Sequence, residues 1–245
     1  MSILKVENIS KKSEDGVILD AISFEIEEKG VFAILGKKDS EKTALANVLA
    51  GCSALDSGEI VYKDINVYSN SKNNRLAKAK IGYVPQEITF FDDMTAFEIL
   101  EFAGKLRKVE TDKRIRQIKE ALEIVGLSDK YEVLVKDFSL SEKKRLSLAH
   151  ALIGNPSLII LDEPTAQISL EDAALFKKII MMLGDKKTVI LLTDKINLAQ
   201  SVATNVGIMS NGTIKLWESA DALKTRYEGD DNFLIKAFSA FSCEN

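Results

Sequence analysis

Residues 157–165 read SLIILDEPT. The four consecutive apolar residues of this segment, Leu158 to Leu161, are typical of a strand that is buried on both faces. Asp162 and Glu163 follow at once, so we expect both carboxylates at the carboxyl edge of a parallel sheet, where open α/β folds bind their ligands. In nucleotide hydrolases one acid at such a position orders Mg²⁺ and a second polarises the attacking water.

The composition limits the classes of protein to which the chain can belong. It has 245 residues, 46% of them hydrophobic, and a formal net charge of −4. No apolar run approaches the ~18–20 residues that cross a bilayer, and the start MSILKVENIS lacks the apolar block of a signal peptide. We therefore expect a soluble, cytoplasmic protein with one large domain. The negative charge disfavours nucleic acid as a partner.

The cysteines and the single histidine predict no metal chemistry of their own. Cys52 and Cys243 stand far apart, and reduced thiols are the norm in the cytoplasm. His150 has no second histidine to join in a metal cluster, so we expect it to be a packed or surface side chain.

The periodicity of apolar residues predicts a β-rich start, a helical middle and a mixed end. Alternation predicts half-buried antiparallel strands at 3–9 and 17–26, and another edge strand at 58–68. The other predicted elements are buried strands at 31–35, 81–84, 158–161 and 189–192, and helices at 41–50 (closed by Gly51), 170–183, 219–226 and 231–241. Asn211-Gly212 predicts a hairpin turn.

Residues 95–150 change to a helical period. One helix is marked by Phe97, Leu100, Phe102 and Leu106, and a second by Ile115, Ile118, Leu122 and Val125; a third begins at Phe138. The segment is rich in Lys and Arg between positions 105 and 119, which indicates either a solvated helix face or a docking surface.

Six segments, in this order along the chain, resemble the nucleotide-binding subunits of ABC transporters, and the resemblance covers nearly all of the sequence. They are ILGKKDSEKT (34–43) at the phosphate loop, YVPQ (83–86) at the Q-loop, FSLSEKKRLSLAHALIGNP (138–156) at the signature helix, SLIILDEPT at Walker B, VILLTD (189–194) at the switch strand and GIMSNGTI (207–214) at its closing hairpin.

The resemblance implies an α/β, P-loop NTPase-type ABC ATPase domain over residues 1–245, with a mixed sheet core, an antiparallel β subdomain and an inserted helical lobe. The implied divisions are an α/β core at 1–88 and 155–218, the lobe at about 90–154 and a helical tail at 219–245. It also implies a location on the inner face of the membrane, with a permease and a second nucleotide-binding subunit, identical or different, as partners.

The resemblance further implies the site residues. ATP and Mg²⁺ are the expected cofactors. Gly36 and Lys42 would contact phosphate, Thr43, Gln86 and Asp162 would serve the metal, Glu163 and Gln86 would serve catalysis, and Ser139 would contact the partner subunit's ATP. The switch histidine of the family is replaced by Asp194, an acid that would repel the γ-phosphate.

Other family positions are also changed. Two glycine positions of the phosphate loop are Asp39 and Glu41. A helix N-terminus attracts negative charge, so we hypothesise that Asp39 or Ser40 caps the helix and that these carboxylates partly fill the anion site. The alternative is that both acids face solvent.

Three further positions depart from the family. The signature LSGGQ becomes Phe138-Ser-Leu-Ser-Glu142, with a leucine at its third place as in some exporter-type relatives. Ser139 with Glu142 predicts a capping box. The adenine-stacking aromatic becomes Ser13, and the D-loop becomes Gln167-Ile-Ser169.

Three functions remain open from the sequence. The first is an ABC transporter subunit with a degraded ATP site and weak or no hydrolysis, which acts structurally or as a regulator of a permease. The second is a working Mg-ATP-hydrolysing subunit, because Lys42, Thr43, Gln86, Asp162 and Glu163 remain. The third is a soluble regulatory module without a transporter.

Overall fold

The computed structural model describes residues 2–14, 16–37 and 41–242. Asp39, Ser40 and Cys243 fall outside these ranges, and with them the capping role considered for Asp39 or Ser40. The strands are β1 (Leu4–Ser13), β2 (Gly16–Ile26), β3 (Gly30–Leu35), β4 (Ser57–Tyr62), β5 (Ile65–Asn66), β6 (Ile81–Val84), β7 (Leu158–Asp162), β8 (Thr188–Thr193), β9 (Asn205–Ser210) and β10 (Thr213–Ser219).

The helices lie mainly between these strands, with α3, α4 and α5 in succession between β6 and β7. They are α1 (Lys42–Leu49), α2 (Ser71–Lys80), α3 (Ala96–Leu106), α4 (Thr111–Ile124), α5 (Leu140–Leu152), α6 (Leu170–Gly184), α7 (Ile196–Val202), α8 (Ala220–Arg226) and α9 (Phe233–Ser242), with 3₁₀ turns at Ser128–Lys130 and Val135–Asp137. Among the described residues, no helix is both long and apolar enough to cross a bilayer.

Two sheets form the core. The antiparallel sheet has the order β2-β1-β4-β5, and the six-stranded sheet has the order β10-β9-β3-β8-β7-β6. In the second sheet β3, β6, β7, β8 and β9 are parallel and β10 is antiparallel to its neighbour β9. This α/β architecture confirms the predicted fold class.

Alternate residues of the central strands pack on opposite faces of the six-stranded sheet. Leu158 and Ile160 face a cluster that contains α1 and the antiparallel sheet, whereas Ile159 and Leu161 face the helices of the lobe and α6. Both faces are thus covered, which explains why the strand reads as an unbroken apolar run. The apolar run ends at Asp162, at the edge of the sheet.

The predicted edge strand at 58–68 is wrong in two respects. The chain turns at Lys63, whose φ is +52°, and separates β4 from β5. β4 pairs with β1 on one side and β5 on the other, so it is an interior strand. The alternating pattern did not show the turn because Lys63 and Asp64 lack a glycine or proline signal.

The first lobe helix is present, but its predicted apolar face is partly wrong. Leu100 is buried together with Ile99 and Ala103, whereas Phe102 and Leu106 are 48% and 67% exposed. α2, which the sequence did not predict, has Ala77 as its buried residue and is mostly polar elsewhere, with Leu76 exposed. The N-terminus of α2 is capped, because the Asn70 side chain accepts a hydrogen bond from the N–H of Asn73.

The signature helix α5 lies close against the sheet. A Cβ atom placed on Gly82 of β6 would stand 2.5 Å from the carbonyl oxygen of Ala151. Glycine is therefore required at this contact, and the contact sets how near α5 lies to β6 and β7. The start of α5 is brought in this way to the same side of the molecule as Asp162 and Glu163.

Candidate functional site

The two acids that follow the buried run are held at the carboxyl edge of the sheet. Asp162 is fully buried and Glu163 is 6% exposed. Glu163 has a left-handed backbone with φ +46°. Its N–H donates to the carbonyl of Leu192 at 2.9 Å, and its Oε2 accepts from the Thr193 hydroxyl at 3.0 Å. The Glu163 side chain is therefore oriented by the neighbouring strand β8.

Lys42 begins α1 directly above these acids. Its Nζ donates to the carbonyl oxygens of Gly36 and Lys37 at 3.0 and 2.7 Å, and stands 3.3 Å from Glu163 Oε1. The Lys42 side chain is 4% exposed. The sequence-predicted residues Gly36, Lys42 and Glu163 are thus brought into contact.

Thr43 and Gln86 meet at the same edge. The Thr43 hydroxyl donates to Gln86 Oε1 at 3.1 Å, which joins α1 to the loop after β6. Both carboxylate oxygens of Asp162 are buried, and neither has a geometrically acceptable hydrogen-bond partner among the described residues. Buried carboxylates without partners are uncommon and call for an ion or water.

The donor set fits Mg²⁺. A carboxylate, a hydroxyl and an amide oxygen are hard ligands, and this metal is commonly held by one or two carboxylates with water and phosphate in the remaining positions. No cluster of three His, Cys, Asp or Glu exists in the described ranges. An ion at Asp162 would therefore complete its shell with Thr43, phosphate and water.

Burial controls the titration of both acids. It raises the pKa of Asp162, while the nearby Thr43 hydroxyl and the charges of Lys42 and Lys144 act in the opposite direction. Burial also raises the pKa of Glu163, against the attraction of Lys42. A cation that enters this site would favour the ionised form of both carboxylates.

Asp194 adds a third acid beside the first two. It follows β8 directly, forms an ion pair with its neighbour Lys195 at 3.2 Å, and its charge contributes to the raised pKa of Glu163. An acid therefore lies within electrostatic reach of the Glu163 carboxylate. That position disfavours an incoming anion.

The start of α5 is closed by its own side chains. Ser139 is the N-cap, its N–H donates to Glu142 Oε2 at 2.8 Å, and the Glu142 N–H donates to Ser139 Oγ at 3.2 Å. This confirms the predicted capping box. The Ser139 N–H, followed by Lys130 at 3.1 Å from the carboxylate, lowers the pKa of Glu142. A negative charge therefore occupies the anion-attracting end of the helix.

Comparison with known proteins places this geometry in a family. The family model described as "ABC transporter" matches residues 19–166. The chain belongs to the ABC transporter family. It is 30% identical to the linearmycin resistance ATP-binding protein LnrL of Bacillus subtilis (strain 168), over 93% of this chain and 73% of LnrL. It is 33% identical to the molybdate/tungstate import ATP-binding protein WtpC of Methanocaldococcus jannaschii, over 91% of this chain and 72% of WtpC.

Solved structures of ABC proteins share the fold. The ATP-binding cassette MJ0796, solved as a dimer in a post-hydrolysis state with ADP and Pi, superposes with a TM-score of 0.81 at 22% identity and covers 89% of this chain and 98% of its own. The protein cbiO1 of Clostridium perfringens, described as part of the complex cbiONQ, superposes with a TM-score of 0.80 at 24% identity, over 98% of this chain and 95% of its own.

Within this ABC fold, Glu41 directly precedes the first helical residue of α1. It is itself the N-cap of α1, with φ −68°, and its side chain makes no capping hydrogen bond. A capping bond from Glu41 is therefore excluded, whereas the hypothesis that the Asp39 and Glu41 carboxylates partly fill the anion site stays a prediction, because Asp39 lies outside the described residues. Glu41 has ψ 12° instead of the extended ψ of a capping residue such as Ser139, with ψ 164°, and this difference takes its side chain out of the N-cap geometry.

The D-loop and the adenine region are also resolved. Ser169 caps α6 by accepting from the Asp172 N–H at 3.1 Å, and the Ser141 hydroxyl is the first cause of the lowered pKa of Asp172. Ser13 ends β1 and is exposed. On β2, which pairs with β1, Val17 is an apolar side chain that is 58% exposed.

Sequence reasoning missed Lys144. It is 4% exposed on α5, and its Nζ donates to the Glu163 carbonyl at 3.1 Å. The available signal was helical spacing, since Ser147, Leu148 and Ala151 at three, four and seven residues further on are all buried. A charged residue on that buried face indicates a partner in the interior.

His150 is a packed residue, as one of the two expectations had it. It is partly buried beside Phe90, with ring centroids 6.3 Å apart. Burial, assisted by the charge of Arg107, lowers the pKa of His150 to about 4. The ring is therefore neutral at pH 7, and it lies on the lobe side of α5.

Proposed function

We propose that this ABC subunit has weak or no ATP hydrolysis and acts as a structural or regulatory partner of a membrane permease, on the inner face of the membrane. Residues 1–88 and 155–218 form its α/β core, about 90–154 the lobe and 219–245 the tail. The observation that carries the proposal is the placement of two acids, Asp194 beside Glu163 and Glu142 on the N-terminus of α5, where phosphate would approach.

The retained residues support binding of nucleotide. Lys42 would bind the β- and γ-phosphates together with backbone N–H groups near Gly36, and Thr43 and Asp162 would hold Mg²⁺ with Gln86 nearby. The metal would neutralise phosphate charge. Glu163 would orient the attacking water, and Thr193 already fixes the direction of its carboxylate.

The added acids weaken that site. A unit charge ~5 Å from a phosphate oxygen, at an effective dielectric near 20, costs roughly 3 kcal/mol. Asp194 acts on the subunit's own nucleotide, whereas Glu142 acts on a nucleotide held by the second subunit of a dimer. Both composite sites of a homodimer would carry both acids. In a heterodimer each site would carry one of them.

A groove between α2 and the end of α3 supports docking on a permease. It encloses about 690 Å³ and is lined by four exposed cations, Lys72, Arg75, Lys78 and Lys108, and by the exposed Leu76 and Leu106. The side chains of these cations make no ion pair or hydrogen bond within the described ranges. Apolar walls with a basic rim fit an acidic amphipathic segment of a partner.

Calorimetry and a turnover assay on the purified chain test the proposal. We expect Mg-ATP to bind only toward millimolar concentration, with turnover that Glu163→Gln does not lower further. Binding at tens of micromolar, with turnover that Glu163→Gln abolishes, would establish the working ATPase, the second candidate that the intact Lys42–Glu163 arrangement favours.

Docking has its own test. Lys72→Glu with Arg75→Glu should reduce co-purification with the co-expressed permease, because it reverses the charge of one groove wall. Lys178→Glu with Lys215→Glu, at exposed positions of α6 and β10 outside the groove, serves as the matched control. Equal retention of both double variants would contradict docking at this groove.

A further inference from the structure

A buried cation links the signature helix to the backbone of the catalytic-position acid. Lys144 lies on α5 two residues after Glu142, is 4% exposed, and donates from Nζ to the carbonyl oxygen of Glu163 at 3.1 Å. Its neighbour Lys143 points elsewhere and pairs with Asp92 at 3.3 Å on the surface. Lys143 therefore lies at the surface, whereas Lys144 is buried.

The acceptor of this hydrogen bond is an unusual residue. Glu163 has φ +46°, and a non-glycine residue in a sparsely populated conformation costs about 1–3 kcal/mol unless its surroundings hold it. Leu192 holds its N–H, Thr193 and Lys42 hold its carboxylate, and Lys144 holds its carbonyl. Three sides of the residue face the strand and α1, and the fourth faces α5.

The charge of Lys144 also belongs to the site. Burial lowers the pKa of Lys144, while the carboxylates of Glu163 and Asp162 act against that effect. A buried ammonium is costly to desolvate, and an apolar side chain of similar size would often be at least as stable in its place. The gain from a lysine here is therefore a fixed geometry between α5 and Glu163.

We propose that Lys144 is a positioning residue that transmits occupancy of the nucleotide site to the first turn of α5. The inference rests on the proposed function, because it requires that a nucleotide binds beside Lys42 and Asp162. A ligand that displaces Glu163 moves the carbonyl to which Lys144 is bound. Because the lysine is enclosed, that displacement reaches the capping box of Ser139 and Glu142, which can open or close.

Hydrogen exchange on the full chain tests this inference, with Mg-ADP and Mg-ATP as probes up to millimolar concentration. In the natural sequence, nucleotide should change exchange at residues 41–49 and also at 139–146, the second by about fivefold or more. Lys144→Met should keep the first change and lose the second. Lys144→Arg, which retains the donor, should restore it, and Lys143→Met is the matched control.

The outcomes separate the two proposals. No change at 41–49 in the natural sequence would overturn nucleotide binding and this inference together. A change at 41–49 without one at 139–146, or equal coupling in Lys144→Met and the natural sequence, would overturn the inference alone. A purely structural Lys144 would lower the melting temperature of the variants and leave the nucleotide-dependent ratio of exchange rates unaltered. Lys144→Gln replaces Lys144→Met if the latter does not fold.

Discussion

Single side chains decide how charge is distributed at the nucleotide site. Lys42 and Lys144 stand on either side of the Asp162–Glu163 pair, and Asp194 adds a third acid on the side of β8. Asp162 has no hydrogen-bond partner in the described ranges, so the site has unused capacity for a cation. Under the proposed function, we expect this site to accept a cation more readily than an additional anion.

Neutralising Asp194 should strengthen binding of ATP. We expect Asp194→Asn to raise Mg-ATP affinity by about tenfold, because a nearby like charge is removed from the phosphate. Asp185→Asn, at an exposed position after α6, is the control and should leave affinity unchanged. Calorimetry at two salt concentrations measures the effect. Equal affinities for the two variants would show that Asp194 does not face phosphate.

His150 should make stability depend on pH in a defined range. Its folded pKa of about 4 lies below the unfolded value near 6.5, so the unfolded chain binds the extra proton first. The contribution is complete above pH 6.5 and is lost as the pH falls toward 4, by roughly 3 kcal/mol at most. Urea unfolding of His150→Gln against the natural chain should show a shallower acid slope, and parallel slopes would refute this assignment.

At the scale of elements, the starts of the helices separate function from stability. Glu41, the residue before α1, makes no side-chain cap, whereas α5 is closed by Ser139 and Glu142. In α5 the capping motif stabilises the helix and at the same time uses the groups that the family offers to phosphate. Under the proposed function, we therefore expect local stability and recognition of the partner's nucleotide to oppose each other at this turn.

Two substitutions at the start of α5 should have different effects. Ser139→Ala removes the cap acceptor and should lower the free energy of unfolding by about 1 kcal/mol. This loss corresponds to a melting temperature that is about 2–4 °C lower. Glu142→Gln keeps an acceptor for the Ser139 N–H and removes the charge, so its stability loss should be smaller. Thermal unfolding of the two variants measures their losses of stability. A larger loss of stability for Glu142→Gln would mean that the ion pair between Glu142 and Lys130 contributes more than the cap.

The described residues form three apolar clusters around the six-stranded sheet. One joins the sheet to the lobe, one encloses α1, and one lies under α7, α8 and α9. The third contains Phe233, Leu234 and Ala237, with Phe238 and Phe241 packed against it. The described part of the tail therefore packs into the core.

Truncation of one tail side chain tests this packing. Leu234 is fully buried and Ile235 is 41% exposed. Leu234→Ala should lower the free energy of unfolding by about 2–5 kcal/mol through lost burial and a cavity. Ile235→Ala is a matched truncation one position later. Apart from the difference in helix propensity between Ile and Ala, it should change the free energy of unfolding by no more than about 0.5 kcal/mol. Chemical denaturation that gives similar losses for both would contradict a core role for α9.

Local patterns in the sequence were sufficient for the class of fold and for most elements, whereas the phosphate and metal residues were named through the family resemblance and stay predictions. An unbroken apolar run, a capping box and an Asn-Gly turn each depend on neighbours along the chain, so their physics is local. Tertiary structure alone decided that the Glu41 side chain makes no cap to α1, that Phe102 and Leu106 face outward, and that Lys144 reaches the Glu163 carbonyl. Each of these depends on how α1, α3 and α5 pack on the sheet, and packing between distant segments is not encoded in the spacing of residues within one segment.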